Sequence, residues 1–239
     1  MPVVDIPDRG DVYHKMWLEL MRLTKDPPAP WTLIGAHMVA VHGWALGRQP
    51  IRTSLDADVL VDVRLVTGGT AVVSQALVRD GFELVDYSVT GVGHTFAAGD
   101  VRFDVLAPDN VGQRVSLETI RGFRTVTVPG GTQALTRSAP IEIRSRSSLG
   151  TVPLPSLLGA ILIKTRAIEV DDLPDNQRSD VAFLFSLVED PDELVARMTA
   201  KERGWLRRHP YFGDPRDACW TEIIGAEDGA IVYRRLAAT

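Results

Sequence analysis

The chain has 239 residues, 45% of them hydrophobic and 24% charged, with a formal net charge of −5. That is enough for one large domain or two modest ones around a real core, and the acidic balance argues against wholesale, sequence-blind nucleic-acid binding while leaving room for a local basic patch. Cys219 is the only cysteine, so no disulfide framework forms within the chain, and a reducing, cytoplasmic compartment is expected.

The opening "MPVVDIPDRGDVYHK" lacks a basic segment followed by an apolar one, so no secretory leader is expected. No apolar run approaches the ~20 residues of a membrane span. Residues 11–24 place Val12, Met16 and Leu20 at helical spacing, and the prolines of "KDPPAP" stop that helix. "WTLIG" reads as a strand ending at Gly35, "AHMVAVHGWAL" as a helix, "DADVLVDV" as a strand, and "GTAVVSQALVRDG" as a helix closed by Gly81. "FELVDYS", "HTFAA" and "VRFDVLA" follow as strands, the last two joined by a hairpin turn at "AAGD". "RTVTVP", "IEIRS" and "GTVPL" read as further short strands, and "PGGTQAL" as a turn into a short helix.

After Pro155 four helical segments are expected: "SLLGAILIKTRAIE", "RSDVAFLFSLVE", "DELVARMTAKERGWLRRH" and the stretch from Arg216 to the C-terminus. Ser156, then Ser179 or Asp175, and Asp190 with Pro191 at N1 supply their caps. The expected class is α+β: a mixed β-sheet flanked by helices, followed by a helical bundle. An N-terminal helix and linker span 1–30, an α/β part 31–153, and a helical part 154–239.

Asp56 and Asp58 alternate with Ala57 and so share one face of their strand. Two such carboxylates repel, and burial adds to the cost. They form either a solvated strand start or a pair offset by a divalent cation, for which Mg²⁺ with its hard oxygen ligands is suited. Asp104 lies mid-strand in "VRFDVLAP", opposite in facing to Val101, Phe103 and Val105. It is either paired with an arginine such as Arg102 or, if its strand neighbours that of Asp56 and Asp58, the third carboxylate of a two-metal phosphoryl-transfer site. In that arrangement it accepts the proton of an attacking hydroxyl.

"LIGAHMVAVHG" followed by "RTSLDADVLVD" and the lone Asp of "VRFDVLAP" resembles the DNA polymerase β-type nucleotidyltransferase superfamily. Within it the chain looks most like the AbiEii/MenT group, toxin-type nucleotidyltransferases of type IV toxin–antitoxin systems and their actinobacterial relatives. The resemblance covers roughly residues 31 to 190. It implies a nucleotidyltransferase-type sheet and transfer of a nucleoside monophosphate from an NTP substrate to an acceptor hydroxyl. It assigns Asp56, Asp58 and Asp104 to one or two Mg²⁺ ions and to catalysis, and Gly35, Ala36, Arg52, Lys164 and Asp180 to the nucleotide. Its acceptor is tRNA or another RNA in some members, and a cognate antitoxin is a partner of the toxins. The chain departs at Gly35-Ala36, where the usual turn is Gly-Gly or Gly-Ser. Ala36 offers no hydroxyl, so phosphate binding there falls to the backbone N–H groups of the helix start.

The residues themselves leave these roles open. Arg52 and Arg48 are triphosphate ligands or solvated loop arginines. Lys164 falls inside the stripe of Leu157, Ile161 and Ile168, so it meets an anion or snorkels out. Asp180 either complements a helix N-terminus or, by the resemblance, orients the site lysine and arginine. His94 and Phe96 stack on a base or pack a hairpin face; His37 and His42 are read as structural. Two locally basic regions, 121–146 and the helix with Arg197, Lys201, Arg203, Arg207 and Arg208, track an acceptor's phosphates or form solvated faces. A small-molecule acceptor and a non-catalytic nucleotide-binding protein are the alternatives.

Overall fold

Two β-sheets organise residues 3–238, the residues described by the computed structural model. A short strand β1 (Val4–Ile6) precedes the amphipathic helix α1 (Asp11–Lys25), which buries Tyr13, Met16, Trp17, Leu20 and Leu23. Then come β2 (Trp31–Ile34), α2 (Gly35–Ala45), β3 (Asp56–Val61), α3 (Gly69–Arg79), β4 (Glu83–Val85), β5 (Thr95–Ala98), β6 (Val101–Pro108) and β7 (Thr127–Val128). A short α4 (Gly131–Thr136) leads into the hairpin of β8 (Ser138–Ser145) and β9 (Ser148–Pro155). Five helices follow: α5 (Leu157–Ala167), α6 (Pro174–Phe185), α7 (Pro191–Ala196), α8 (Ala200–Arg207) and α9 (Ala226–Ala237). None is long and apolar enough to cross a membrane.

The larger sheet runs β2-β3-β6-β5-β4, with β7 beside β6. Its strands are antiparallel except where β3 meets β6 and β6 meets β7. The second sheet is β1-β8-β9. The expected α+β class, a mixed sheet flanked by helices and followed by further helices, is what the chain adopts. Helix α2 is buried almost all round, as its uniformly apolar sequence requires. At Gly43 a Cβ would stand 2.8 Å from the Phe183 ring, so α2 and α6 approach through a glycine. This contact ties the helical half to the sheet half.

Four expectations change. "VDI" forms a strand, because Val4 and Ile6 bury inward while β1 pairs in parallel with β8. The single helix expected over "DELVARMTAKERGWLRRH" is two, because Thr199 and Glu202 form a capping box that starts α8 afresh. Helix α6 begins at Pro174 rather than at a cap on Asp175 or Ser179, and Asp171 accepts the Leu173 N–H just before it. Asp180 therefore sits in the body of the helix, not its first turn. The last segment likewise is not one helix: after a 3₁₀ turn at Pro210–Gly213 in the connection before it, the stretch from Arg216 forms a 3₁₀ turn at Ala218–Trp220 and only then α9.

Candidate active site

The site forms where β2 ends. Ile34 is extended, Gly35 turns the chain at φ +72°, and α2 starts at once with no side chain capping its N–H groups and no acidic residue in its first turn. Those orphan donors, with the positive end of the helix dipole, face a cleft of about 260 Å³ lined by Gly35, Ala36, Arg52, Asp58, Lys164 and Gln177, among others.

Sheet register sets the carboxylates. Asp58 stands opposite Ile34 on one side and Asp104 on the other, the latter on the adjacent parallel strand. Asp104 in turn faces Thr95 across the β5–β6 hairpin, and the Thr95 hydroxyl donates to Asp104 Oδ1 at 2.6 Å. Between these polar positions Ala57, Val59, Phe103 and Val105 are fully buried on the opposite face. Burial and the neighbouring Asp104 carboxylate push Asp58 up to about 7, against the pull of Lys164 and Arg52. Asp104 is also raised, chiefly by burial, with the Thr95 hydrogen bond and His94 opposing.

Asp56 behaves differently. Its side chain is 48% exposed, and its carboxylate leans toward Arg102 Nε at 3.9 Å, while Arg102 also pairs with Asp86. It lines a second hollow of about 790 Å³ with Asp100 and Arg102, on the far side of Ser54, which lines both. The three carboxylates thus share one sheet face without closing into a cage. Among the described residues no three His, Cys, Asp or Glu side chains are gathered as a metal-binding group. The donor set still fits Mg²⁺, which is usually held by one or two carboxylates with phosphates and water completing its shell. Asp58 and Asp104 are two raised carboxyls that a divalent cation would return to the ionised form.

Across the cleft, Lys164 and Asp180 are 4% and 3% exposed. Lys164 Nζ donates to Asp180 Oδ2 at 2.8 Å and to Gln177 Oε1 at 2.8 Å. Arg52 grips the same carboxylate with two donors, Nε to Oδ1 at 3.1 Å and Nη2 to Oδ2 at 2.5 Å. One buried anion therefore holds two cations at the rim of the cleft. Lys164 does not snorkel: it ends on Asp180 and Gln177.

Other candidates fall elsewhere. Arg48 donates to the Ile224 carbonyl at 2.6 Å, away from the cleft. Phe96 is fully buried opposite Phe103, so it offers no ring for stacking, and His94 lies just before β5 with its carbonyl bonded to Val105 N–H. His37 packs against Tyr13 and Trp17, and His42 Nε2 lies 3.0 Å from the Pro155 carbonyl. Burial drives both imidazoles well below their ordinary value, to about 3 and about 4, so both are neutral. The two basic regions do not form one track: Arg144 and Arg146 pair with Asp5, Asp8 and Asp11, and Arg137 with Glu202. Arg166 and Lys201 lie over the Trp205 ring and Arg178 over the Tyr211 ring, with Arg166 also paired to Glu169 and Arg178 to Asp175.

Gln177, Thr95 and Ser54 are the site residues that sequence reasoning missed. Thr95 was within reach: counting back from the "AAGD" turn pairs Ala98 with Val101 and hence Thr95 with Asp104. Gln177 becomes visible only once α6 is started at Pro174, which places it one turn before Asp180 on the same face.

No protein-family model matches the chain, and no curated protein does. Among solved structures, the chain is similar to an antigenic nucleotidyltransferase-like protein from Paracoccidioides brasiliensis, with a TM-score of 0.51. The identity is 13%, over 82% of this chain and 86% of that one. At that identity the likeness is one of fold, and the fold of this chain is nucleotidyltransferase-like.

Proposed function

We propose that the protein is a nucleotidyltransferase that moves a nucleoside monophosphate from an NTP to an acceptor hydroxyl and releases pyrophosphate. One observation carries the reading. Asp58 and Asp104 share a rung on adjacent parallel strands, beside the Gly35 turn and across the cleft from Lys164, Asp180 and Arg52. The arrangement sets anions for a metal against cations and helix N–H groups for phosphates, with the reacting phosphorus between them.

In this reading the triphosphate lies in the smaller cleft, against the α2 N-terminus and the free donors of Lys164 and Arg52. Mg²⁺, when bound, would offset the charge of Asp58, Asp104 and the phosphates, with Asp56 available from the side. Asp104, raised by burial and fixed by Thr95, takes the proton of the attacking hydroxyl. Positioning and electrostatics supply nearly all of the rate.

The acceptor occupies the larger hollow beside Asp56. RNA is the proposed acceptor, from the resemblance of the sequence motifs and from the cation–aromatic pairs of Lys201 and Arg166 with Trp205 and of Arg178 with Tyr211, in which Arg166 and Arg178 also pair with Glu169 and Asp175. Arginine over an aromatic ring is suited to phosphates and to base faces alike. The toxin role, with a neutralising protein partner, is proposed from the resemblance of the sequence motifs. A small acceptor is the second reading: the hollow carries Asp56 and Asp100, and Arg102 there is already paired, so its walls favour a cationic molecule.

The test is incubation with each α-labelled NTP, Mg²⁺ and total cellular RNA, in parallel with Asp56→Ala and Asp104→Asn. Label in RNA that disappears with both variants supports the reading. Label absent from RNA but present on a small cationic acceptor selects the second. Nucleotide binding with no transfer to either leaves a binding protein and rejects the enzymatic reading.

A further inference from the structure

The connection from α5 to α6 places a glutamine against the cleft lysine. Gln177 Oε1 accepts from Lys164 Nζ at 2.8 Å, and Gln177 Nε2 donates to Asp171 Oδ2 at 2.6 Å. Chemistry fixes which way this amide points. An ammonium only donates and a carboxylate only accepts, so the oxygen must face Lys164 and the nitrogen Asp171. Asp171 is itself anchored by the Leu173 N–H at 2.9 Å, and these two hydrogen bonds hold its carboxyl below the usual range. Gln177 lines the cleft directly.

Lys164 has three N–H donors. Asp180 takes one and Gln177 a second, so the third is left for the cleft, in a direction set by the other two. Asp180 alone does not fix that direction, because its carboxylate is shared with Arg52 and the ammonium can rotate about a single contact.

We infer that Gln177, oriented by Asp171, is a positioning residue that aims the Lys164 ammonium at the outer phosphates of a bound nucleoside triphosphate. This rests on the nucleotide reading above. Lys164 meets phosphates beyond the first, so losing its aim weakens NTP but not NMP. A residue that merely supported the fold would weaken both.

The measurement is calorimetric binding of an NTP and of the matching NMP, each with Mg²⁺, to the full chain and to Gln177→Ala, Asp171→Ala and the double variant. The expected result is a fall of about tenfold in the NTP-to-NMP affinity ratio for either single variant, which corresponds to about 1.4 kcal/mol. The double variant falls no further, because both changes break one relay. Gln177→Met, nearly the same size and uncharged, loses both the acceptor for Lys164 and the donor to Asp171 without adding charge to the cleft; it shows the same fall and guards against misfolding of the alanine variant. An unchanged ratio in Gln177→Ala or Gln177→Met, or fully additive losses, overturns the inference while leaving the nucleotide reading intact. A wild-type chain that does not prefer NTP over NMP overturns both.

Discussion

The Asp58 carboxylate occupies the space that a side chain on Gly35 would need. A Cβ built there would stand 1.7 Å from Asp58 Oδ2, and Gly35 also sits at φ +72°. Space and backbone conformation therefore each demand glycine. Gly35→Ala is expected to displace Asp58 and to lower NTP affinity at least tenfold, with a stability loss of roughly 1–3 kcal/mol. Gly47→Ala is the control: its φ is +66° but nothing lies within 4 Å of its Cβ position, so only the backbone cost of about 1 kcal/mol appears and NTP binding is unchanged. Thermal melts and calorimetry on the two variants check the contrast.

Asp58 gives a pH dependence with a definite sign. Its carboxyl is held up to about 7 in the folded protein, against the ordinary 3.8 when unfolded. Between those values the folded state binds the extra proton, so this group's contribution to stability falls as pH rises from about 4 to about 7 and is flat above. Asp58→Asn removes the penalty. Without divalent cation, the variant is expected to be more stable than wild type by roughly 2–4 kcal/mol at pH 8 and about equal at pH 4. It should be inactive at both. Equal pH profiles for the two proteins would refute this account of Asp58.

Asp180 holds Lys164 and Arg52 together, and both it and Lys164 are buried. Removing one partner of a buried ion pair leaves the other uncompensated, at a cost of roughly 3–5 kcal/mol. Asp180→Ala is therefore expected to destabilise by that order, whereas Lys164→Met with Asp180→Leu recovers only the Lys164 part of the loss, because Arg52 still lacks its carboxylate, and none of the nucleotide binding. Denaturant unfolding with NTP titration separates the two effects.

Ala36 lines the cleft in the first turn of α2 and is nearly buried. A hydroxyl at this position would add one donor for a phosphate oxygen. Ala36→Ser is expected to raise NTP affinity by about three- to tenfold, or about 1 kcal/mol. Unchanged affinity would place the phosphates away from the α2 N-terminus.

Much of this was legible in the sequence, for physical reasons that differ by element. The alternation of Asp56, Ala57 and Asp58 fixes a shared face for the acids, and Asp104 among apolar neighbours marks the same face on another strand. The adjacency of β3 and β6 is a long-range pairing that no local pattern dictates. The Asp180 partnership was legible only through the resemblance. From spacing alone it reads as a helix-start acid, because Leu173 at the N-cap carries no capping side chain to mark the Pro174 start. Asp56 shows the limit most clearly: its residue type and spacing match Asp58, yet it leans away to Arg102 and lines a different hollow. Spacing sets the face, but the depth of the cleft sets the environment. β1 was missed because three residues carry too little periodicity to read.

The central claim is that the α-phosphorus is attacked and pyrophosphate leaves. The most direct measurement uses one NTP labelled in parallel at the α and at the γ position, with Mg²⁺ and the acceptor fraction, and follows both labels. The account predicts α label on the acceptor, γ label in pyrophosphate, and neither outcome with Asp58→Asn. Transfer of γ label to the acceptor, or its release as free phosphate, would contradict it.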